Sequence, residues 1–158
     1  MATIKKKPNG YGQFGGFSPF GNSTTLLFSL TTNATGAVID SDSTAAVASG
    51  DVIDLGELPA GMRLDDAQIL IKTGMTATVT GSLGFKYADG VNSTDVPQDA
   101  AYFINAGDLT TAGRLRANTG KLVTLPKPAR LILTTAVAAN AKASDIKVIV
   151  SGELKGSR

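Results

Sequence analysis

The sequence predicts an all-β protein: an antiparallel β-sandwich, with a jelly roll as the arrangement that fits, preceded by an extended N-terminal arm. Three observations carry this. Apolar residues recur with a period of two in run after run, which is the pattern of half-buried strands. Turn residues separate the runs at short intervals. The chain has 158 residues, enough for one domain with a real core. Eight or nine strands in one domain must close two faces against each other. A jelly roll, with eight strands in two packed sheets, matches that count and length.

Residues 1–23 form the arm. They hold Gly10, Gly12, Gly15, Gly16 and Gly21, Pro8 and Pro19, and four of the nine aromatic residues (Tyr11, Phe14, Phe17 and Phe20). Such a composition cannot build a core of its own. Four rings are poorly placed in water, since each gains roughly 1.5–3 kcal/mol on full burial. The arm is therefore expected to dock, either on its own body or on a partner.

The body, residues 24–158, is read element by element. Leu26, Phe28 and Leu30 alternate with Thr25, Ser29 and Thr31, and only Leu27 breaks the pattern. Asp51–Leu55 is a short strand. Ala67, Ile69 and Ile71 alternate with Asp66, Gln68 and Lys72. Met75–Tyr87 is the clearest run, with small polar residues at most even positions, and reads as one long strand. Residues 97–106 fit either a short helix with Pro97 in its first turn or a strand over Ala100–Ala106. Lys121–Leu125 and Ala129–Ala136 are further strands, and residues 135–143 are a loop. Ile146, Val148, Val150 and Leu154 close the series. Turn signals fall at 33–36, 58–61, 89–90 and 126–128.

Charge divides along the same boundary. The net charge is +2. Lys5, Lys6 and Lys7 give the arm +3. The other 135 residues hold 12 basic and all 13 acidic side chains, for −1. A near-neutral body argues against nucleic acid as partner. No run approaches the ~20 apolar residues of a spanning helix, so no membrane partner is expected. The residues after Lys7 are polar and Gly-rich, unlike the apolar core of a secretory signal.

The sequence has no Cys and no His. Thiolate and imidazole chemistry is excluded: zinc sites of the common kinds, cysteine nucleophiles and Ser-His-Asp triads. The remaining motifs fail on context. Gly10-Tyr11-Gly12-Gln13-Phe14-Gly15 matches a dinucleotide fingerprint, but no strand precedes it and no helix follows. Ser144-Asp145-Ile146-Lys147 matches a Ser/Lys nucleophile motif, but the alternation makes it a strand. Asp65 and Asp66 are adjacent and are expected to face opposite ways on a strand. Asp51 and Asp54 are expected to act in turns. Asp89–Asp95 is rich in oxygen atoms without the spacing of a calcium loop. Asn22, Asn33 and Asn92 head formal glycosylation sequons in a Thr/Ser-rich chain. No catalytic, cofactor-binding or metal-binding residue is assigned, and no enzymatic activity is expected.

One resemblance can be stated from these residues. Gly50-Asp51-Val52-Ile53-Asp54-Leu55-Gly56-Glu57-Leu58-Pro59-Ala60-Gly61 precedes the Met75–Tyr87 run. Ala101-Tyr102-Phe103-Ile104-Asn105, Leu109-Thr110-Thr111-Ala112-Gly113-Arg114, the Lys121–Leu125 strand and Ile146–Val150 follow. This succession, over roughly residues 24–154, resembles small bacteriophage head proteins of the capsid decoration, or cement, type. The resemblance implies a structural virion protein on the outer capsid surface, made in the host bacterial cytoplasm. It implies the major capsid protein as partner, contacts across seams between its subunits, and a homodimer or homotrimer. The arm has no matching motif. Its assignment to capsid or neighbour-subunit contact, through Lys5, Lys6, Lys7, Tyr11, Phe14, Phe17 and Phe20 within residues 4–21, follows from its composition. A second reading is a head-fibre or tail-associated module that binds a receptor or glycan, with Tyr87 and Tyr102 as stacking residues.

Overall fold

The structure, a computed structural model, describes residues 2–5 and 23–154. Ten strands make up its regular structure: β1 (Thr3–Lys5), β2 (Ser23–Thr32), β3 (Val52–Leu58), β4 (Met62–Thr73), β5 (Thr80–Tyr87), β6 (Asp99–Asp108), β7 (Gly113–Arg116), β8 (Val123–Thr124), β9 (Ala129–Ala136) and β10 (Ser144–Leu154). One sheet has the order β1-β3-β9-β5-β6 and the other β2-β10-β4-β7, with β8 also pairing to β4. Without β1 and β8 the eight remaining strands form two four-stranded antiparallel sheets. From β2 onward the chain changes sheet at β2→β3, β3→β4, β4→β5, β6→β7, β8→β9 and β9→β10. This is the expected jelly roll.

The facing surfaces are the apolar halves of the alternating runs. Leu26 and Leu30 of β2, Ala67, Ile69 and Ile71 of β4, and Ile146, Val148 and Val150 of β10 line one side. Ile53 and Leu58 of β3, Leu83, Phe85 and Tyr87 of β5, and Leu131 and Leu133 of β9 line the other. Phe85 packs edge-on against both Tyr87 and Tyr102, at centroid distances of 5.8 and 5.3 Å. The Tyr102 hydroxyl accepts from Val123 N (3.0 Å) and lies 3.2 Å from the carbonyls of Leu64 and Lys121, so the ring spans the two sheets.

Two sequence expectations need correction. The run Met75–Tyr87 is not one strand. Only Thr80–Tyr87 pairs, while residues 74–79 form the turn between the sheets. Thr78 has φ of 70° there, a left-handed conformation that breaks regular strand geometry. Met75 and Val79 are buried as loop residues, which mimics the strand pattern. Asp65 and Asp66 do not face opposite ways. The β4–β10 ladder pairs Ser151 with Asp66 but Gly152 with Leu64, so Asp65 is an extra residue, a β-bulge. The bulge resets the alternation: Leu64 points inward, both carboxylates lie outside the core, and Ala67 points inward again. The ambiguous stretch 97–106 resolves as a strand, and Lys121–Leu125 contracts to the two residues of β8.

One end of the sandwich is tied together by Asn140, which is 1% exposed. Its side-chain oxygen accepts from Thr76 N, and its amide donates to Thr32 Oγ1 and the Lys142 carbonyl. Gly36 meets the same loop. A Cβ there would lie 2.0 Å from the Asn140 carbonyl oxygen, and its φ is +89°.

Candidate interaction surface

Of the expected contact residues, the structure places Lys5. Lys6, Lys7, Tyr11, Phe14, Phe17 and Phe20 lie outside the described residues. Lys5 ends β1, with its side chain exposed and its backbone fixed. Its N–H donates to Asp42 Oδ1 (2.8 Å), and its carbonyl accepts from Asp42 N (3.0 Å). β1 runs parallel to β3, pairing Thr3–Lys5 with Val52–Asp54. Ile4 is 2% exposed and belongs to the core. Ala2 N donates to Asp51 Oδ1 (3.0 Å). Residues 6–22 thus run between two strands of the sandwich, β1 and β2. Sequence reasoning missed Ile4 as an anchor. Its only signal was the three-residue alternation Thr3-Ile4-Lys5, too short to read as a strand.

The residues that carried the resemblance have structural work. Asp51 caps a turn, accepting from Ala48 N (2.8 Å). Asp54 does not act in a turn, as expected, but sits in mid-strand and is 4% exposed. Arg130 Nε lies 3.0 and 3.1 Å from its two oxygens, and Arg130 Nη1 reaches Glu57 at 3.1 Å. Gly56 admits the Phe28 ring from β2, since a Cβ there would stand 2.7 Å from it. Gly61, with φ of 75°, turns the chain from β3 into β4.

Several other carboxylates also have defined partners. Asp89 pairs with Lys127 at 2.6 Å. The hydrogen bond from Lys127, with that from Val91 N, holds its carboxyl below the usual aspartate value. Burial pushes Asp99 upward, but the Lys121 ammonium and Ala101 N outweigh it, and the net direction is down. Thr110, through its hydroxyl and N–H, lowers Asp108. Arg63 bridges Asp65 and Glu153, and Arg116 meets Asp66 at 2.8 Å. Among the described residues no group of three or more Asp or Glu side chains could hold a metal ion. An open depression on the outer face of the β2-β10-β4-β7 sheet is lined by Leu70, Lys72, Arg114, Asp145 and Lys147. Lys147 lies 3.2 Å and Lys72 3.9 Å from Asp145, and Arg114 donates to the Gln68 side-chain oxygen. Tyr87 and Tyr102 are buried in the core, at 1% and 3% exposure, and present no ring face for stacking a sugar.

Among the described residues the exposed large apolar ones sit on five separate segments: Leu27 on β2, Ile39 in the β2–β3 connection, Val91, Leu122 and Val137. Leu27 alone among them lies on a strand.

No protein-family model and no curated protein matches the sequence. Solved structures do share its fold. A chain in "Capsid of Ralstonia phage GP4" superposes with a TM-score of 0.69 at 18% identity, covering 99% of each chain. A chain in "Cyanophage Pam1 capsid asymmetric unit" gives 0.58 at 18% identity, over 94% of this chain and 97% of that one. A chain in "Acidic stable capsid structure of Helicobacter pylori bacteriophage KHP30" gives 0.50 at 12% identity, over 83% and 91%. At such identities the likeness establishes a common fold.

Proposed function

We propose that this protein is a structural component of a bacteriophage virion: a non-enzymatic decoration protein that binds the outer capsid surface and stabilises contacts between major capsid subunits. The observation that carries the reading is the end-to-end match, over 99% of both chains, to a chain of a phage capsid structure. Two further phage capsid structures contain chains with the same fold. The chemistry agrees. A sandwich in which many of the described charged groups pair with one another or bond to turns is suited to packing.

In this reading the contact is made within residues 4–21, from which Ile4 is held back in the core, with Lys5, Lys6 and Lys7 meeting acidic groups and Tyr11, Phe14, Phe17 and Phe20 entering apolar seams. The partner is the major capsid protein or a sister subunit. A shell repeats one site many times, so an oligomer of this chain gains avidity from individually weak contacts.

The test is cosedimentation of the purified chain with shells that lack it, beside binding to host cells. The full chain is expected to pellet with shells and not with cells. A variant with Tyr11, Phe14, Phe17 and Phe20 all changed to Ser, which keeps β1, is expected to stay folded and lose shell binding at least tenfold. Binding to cells without binding to shells would overturn the proposal in favour of a receptor-binding module. Shell binding unchanged in the four-residue variant would remove the arm from the interface.

A further inference from the structure

Strand β2 is the edge of its sheet. Among the described residues its one ladder partner is β10, from Ser23↔Glu153 to Thr32↔Ser144. Ile39 N donates to the Thr31 carbonyl, and Asn33 N to the Ala37 carbonyl. Odd-numbered residues of β2 therefore aim their backbone groups away from β10. The β2–β3 connection covers this edge only at Thr31 and beyond. Along Thr25, Leu27 and Ser29 no ladder partner exists among the described residues. Such an edge is normally blunted by Pro, Lys, a bulge or shortness. Ser23–Thr32 reads STTLLFSLTT, with no Pro, Gly or charge, and it pairs with β10 through ten residues without a bulge. Leu27, at the middle of the open stretch, is 59% exposed on the outer face.

We infer that this edge pairs with the same edge of a second copy, antiparallel, about a two-fold axis at Leu27. The inference rests on the edge itself and not on the virion reading. Self-pairing places Leu27 opposite the partner's Leu27, and Thr25 opposite the partner's Ser29. All three outward-aimed residues then become hydrogen-bonded pairs. The register ends where Ile39 already occupies Thr31. On the outer face Leu27 gains the partner's Leu27 on one side and keeps Ile149, its neighbour in the β10 register, on the other. Two four-stranded sheets become one continuous sheet of eight. An isologous contact of this kind needs one self-complementary patch and closes at two copies. The competing occupant is this chain's own segment 6–22. Five Gly and two Pro in those 17 residues make it a poor ladder strand. β2 itself is the better match.

The test measures the mass of the full chain in solution by analytical ultracentrifugation over a wide concentration range. A dimer at twice the 16.1 kDa chain mass is expected. Leu27→Lys sets two ammonium groups face to face at the axis and is expected to give a folded monomer, because Leu27 is exposed within each chain. Leu27→Cys introduces the sole thiol of the chain. Directly opposed hydrogen-bonded residues lie about 5.5 Å apart at Cα, within disulfide reach. Mild oxidation is expected to cross-link this variant nearly completely, while Leu122→Cys, equally exposed elsewhere, stays monomeric on a denaturing gel. A trimer, a dimer that survives Leu27→Lys, or no cross-link at position 27 would each overturn the inference. So would a monomer whose Thr25, Leu27 and Ser29 amides resist exchange at every concentration, since its own segment would then fill the edge.

Discussion

The bulge in β4 can be tested by deletion. A strand alternates with period two, so removing one residue ordinarily exchanges the two faces from that point on. Asp65 is the exception, because it is the residue already in excess. Without it, Leu64, Asp66 and Ala67 alternate normally opposite Gly152, Ser151 and Val150. The deletion removes the exposed Arg63–Asp65 pair, which solvent screens, and disturbs the Tyr102 hydroxyl at the Leu64 carbonyl. One such hydrogen bond contributes about 1 kcal/mol. Deleting Gln68, three residues on, has two outcomes, both costly. The bulge can absorb the loss, which moves Asp66 into the inward position of Ala67, 1% exposed. A buried carboxylate without a partner costs about 3–5 kcal/mol. Alternatively Ile69 and Ile71, at 0% and 4% exposure, turn outward. At roughly 1.5–3 kcal/mol each, that loses about 3–6 kcal/mol, offset in part by Leu70 turning in. For a chain of this size each kcal/mol moves the melting temperature by about 2–4 °C. The expected result is a fall of a few degrees for the Asp65 deletion and of about 6 °C or more for the Gln68 deletion, read by circular dichroism melts and urea midpoints. Equal losses in the two variants would refute the assignment of Asp65 as the extra residue.

Three further outcomes are expected. Arg130→Ala leaves Asp54 buried without its guanidinium and should cost about 2–4 kcal/mol in urea denaturation, whereas Asp54→Leu with Arg130→Met should recover most of it. A Cβ on Gly84 would lie 2.0 Å from the Asp99 carbonyl oxygen and 2.4 Å from the Ala100 carbonyl carbon, so Gly84→Ala must push β6 away. It should cost about 3 kcal/mol or more, while Gly120→Ala, with open space around it, should stay within about 0.5 kcal/mol. Asp89, Asp99 and Asp108 all have carboxyls held below the ordinary value of 3.8. A depressed folded-state value gives stability that is present above the unfolded value and lost as pH falls through the folded one. Melting temperature should therefore hold from neutral pH to about 4 and drop below it, less steeply in Asp99→Asn, as thermal melts across pH 7 to 2.5 can follow.

The sandwich was legible in the sequence where strands hide one face and run without interruption. β10 is buried at every second residue from Ser144 to Leu154, and its alternation was plain. The inner half of β2 was equally clear, while Ala129–Ala136 was a strand candidate without clean alternation, since Leu131, Ile132 and Leu133 of β9 are all buried. What escaped has physical causes. β7 lies at a sheet edge with three of its four residues exposed, so it carries no apolar signal. In β6, Tyr102, Phe103 and Ile104 are all buried, because the ladder to β5 steps from Leu83↔Ile104 to Phe85↔Asp99 and the intervening residues bulge. That irregularity is what left 97–106 open between helix and strand. Met75–Val79 misled in the opposite sense, since a turn can bury two residues four apart without pairing any. For the interaction surface, composition marked residues 1–23 as different but could not separate the three residues that join the sandwich. A single Ile beside Lys carries too little pattern to distinguish a core anchor from an exposed apolar residue.

The anchoring of β1 alters how a contact by residues 6–22 would work. A tail fixed at one end loses most of its freedom when it docks, and that loss subtracts from affinity. Here Ile4 lies in the core, Lys5 is bonded to Asp42, and Ser23 opens β2. With both ends placed, part of the ordering entropy is already spent in folding, and the closure cost grows only slowly with the length between. The same placement makes the contact mechanical. A pull on the segment is borne at one end by three residues paired in parallel to β3 and by one buried Ile. At the other end it meets ten residues paired to β10. The weaker end is β1. The strength of any joint made through the segment would be set there, by the short strand that composition alone assigned to the arm.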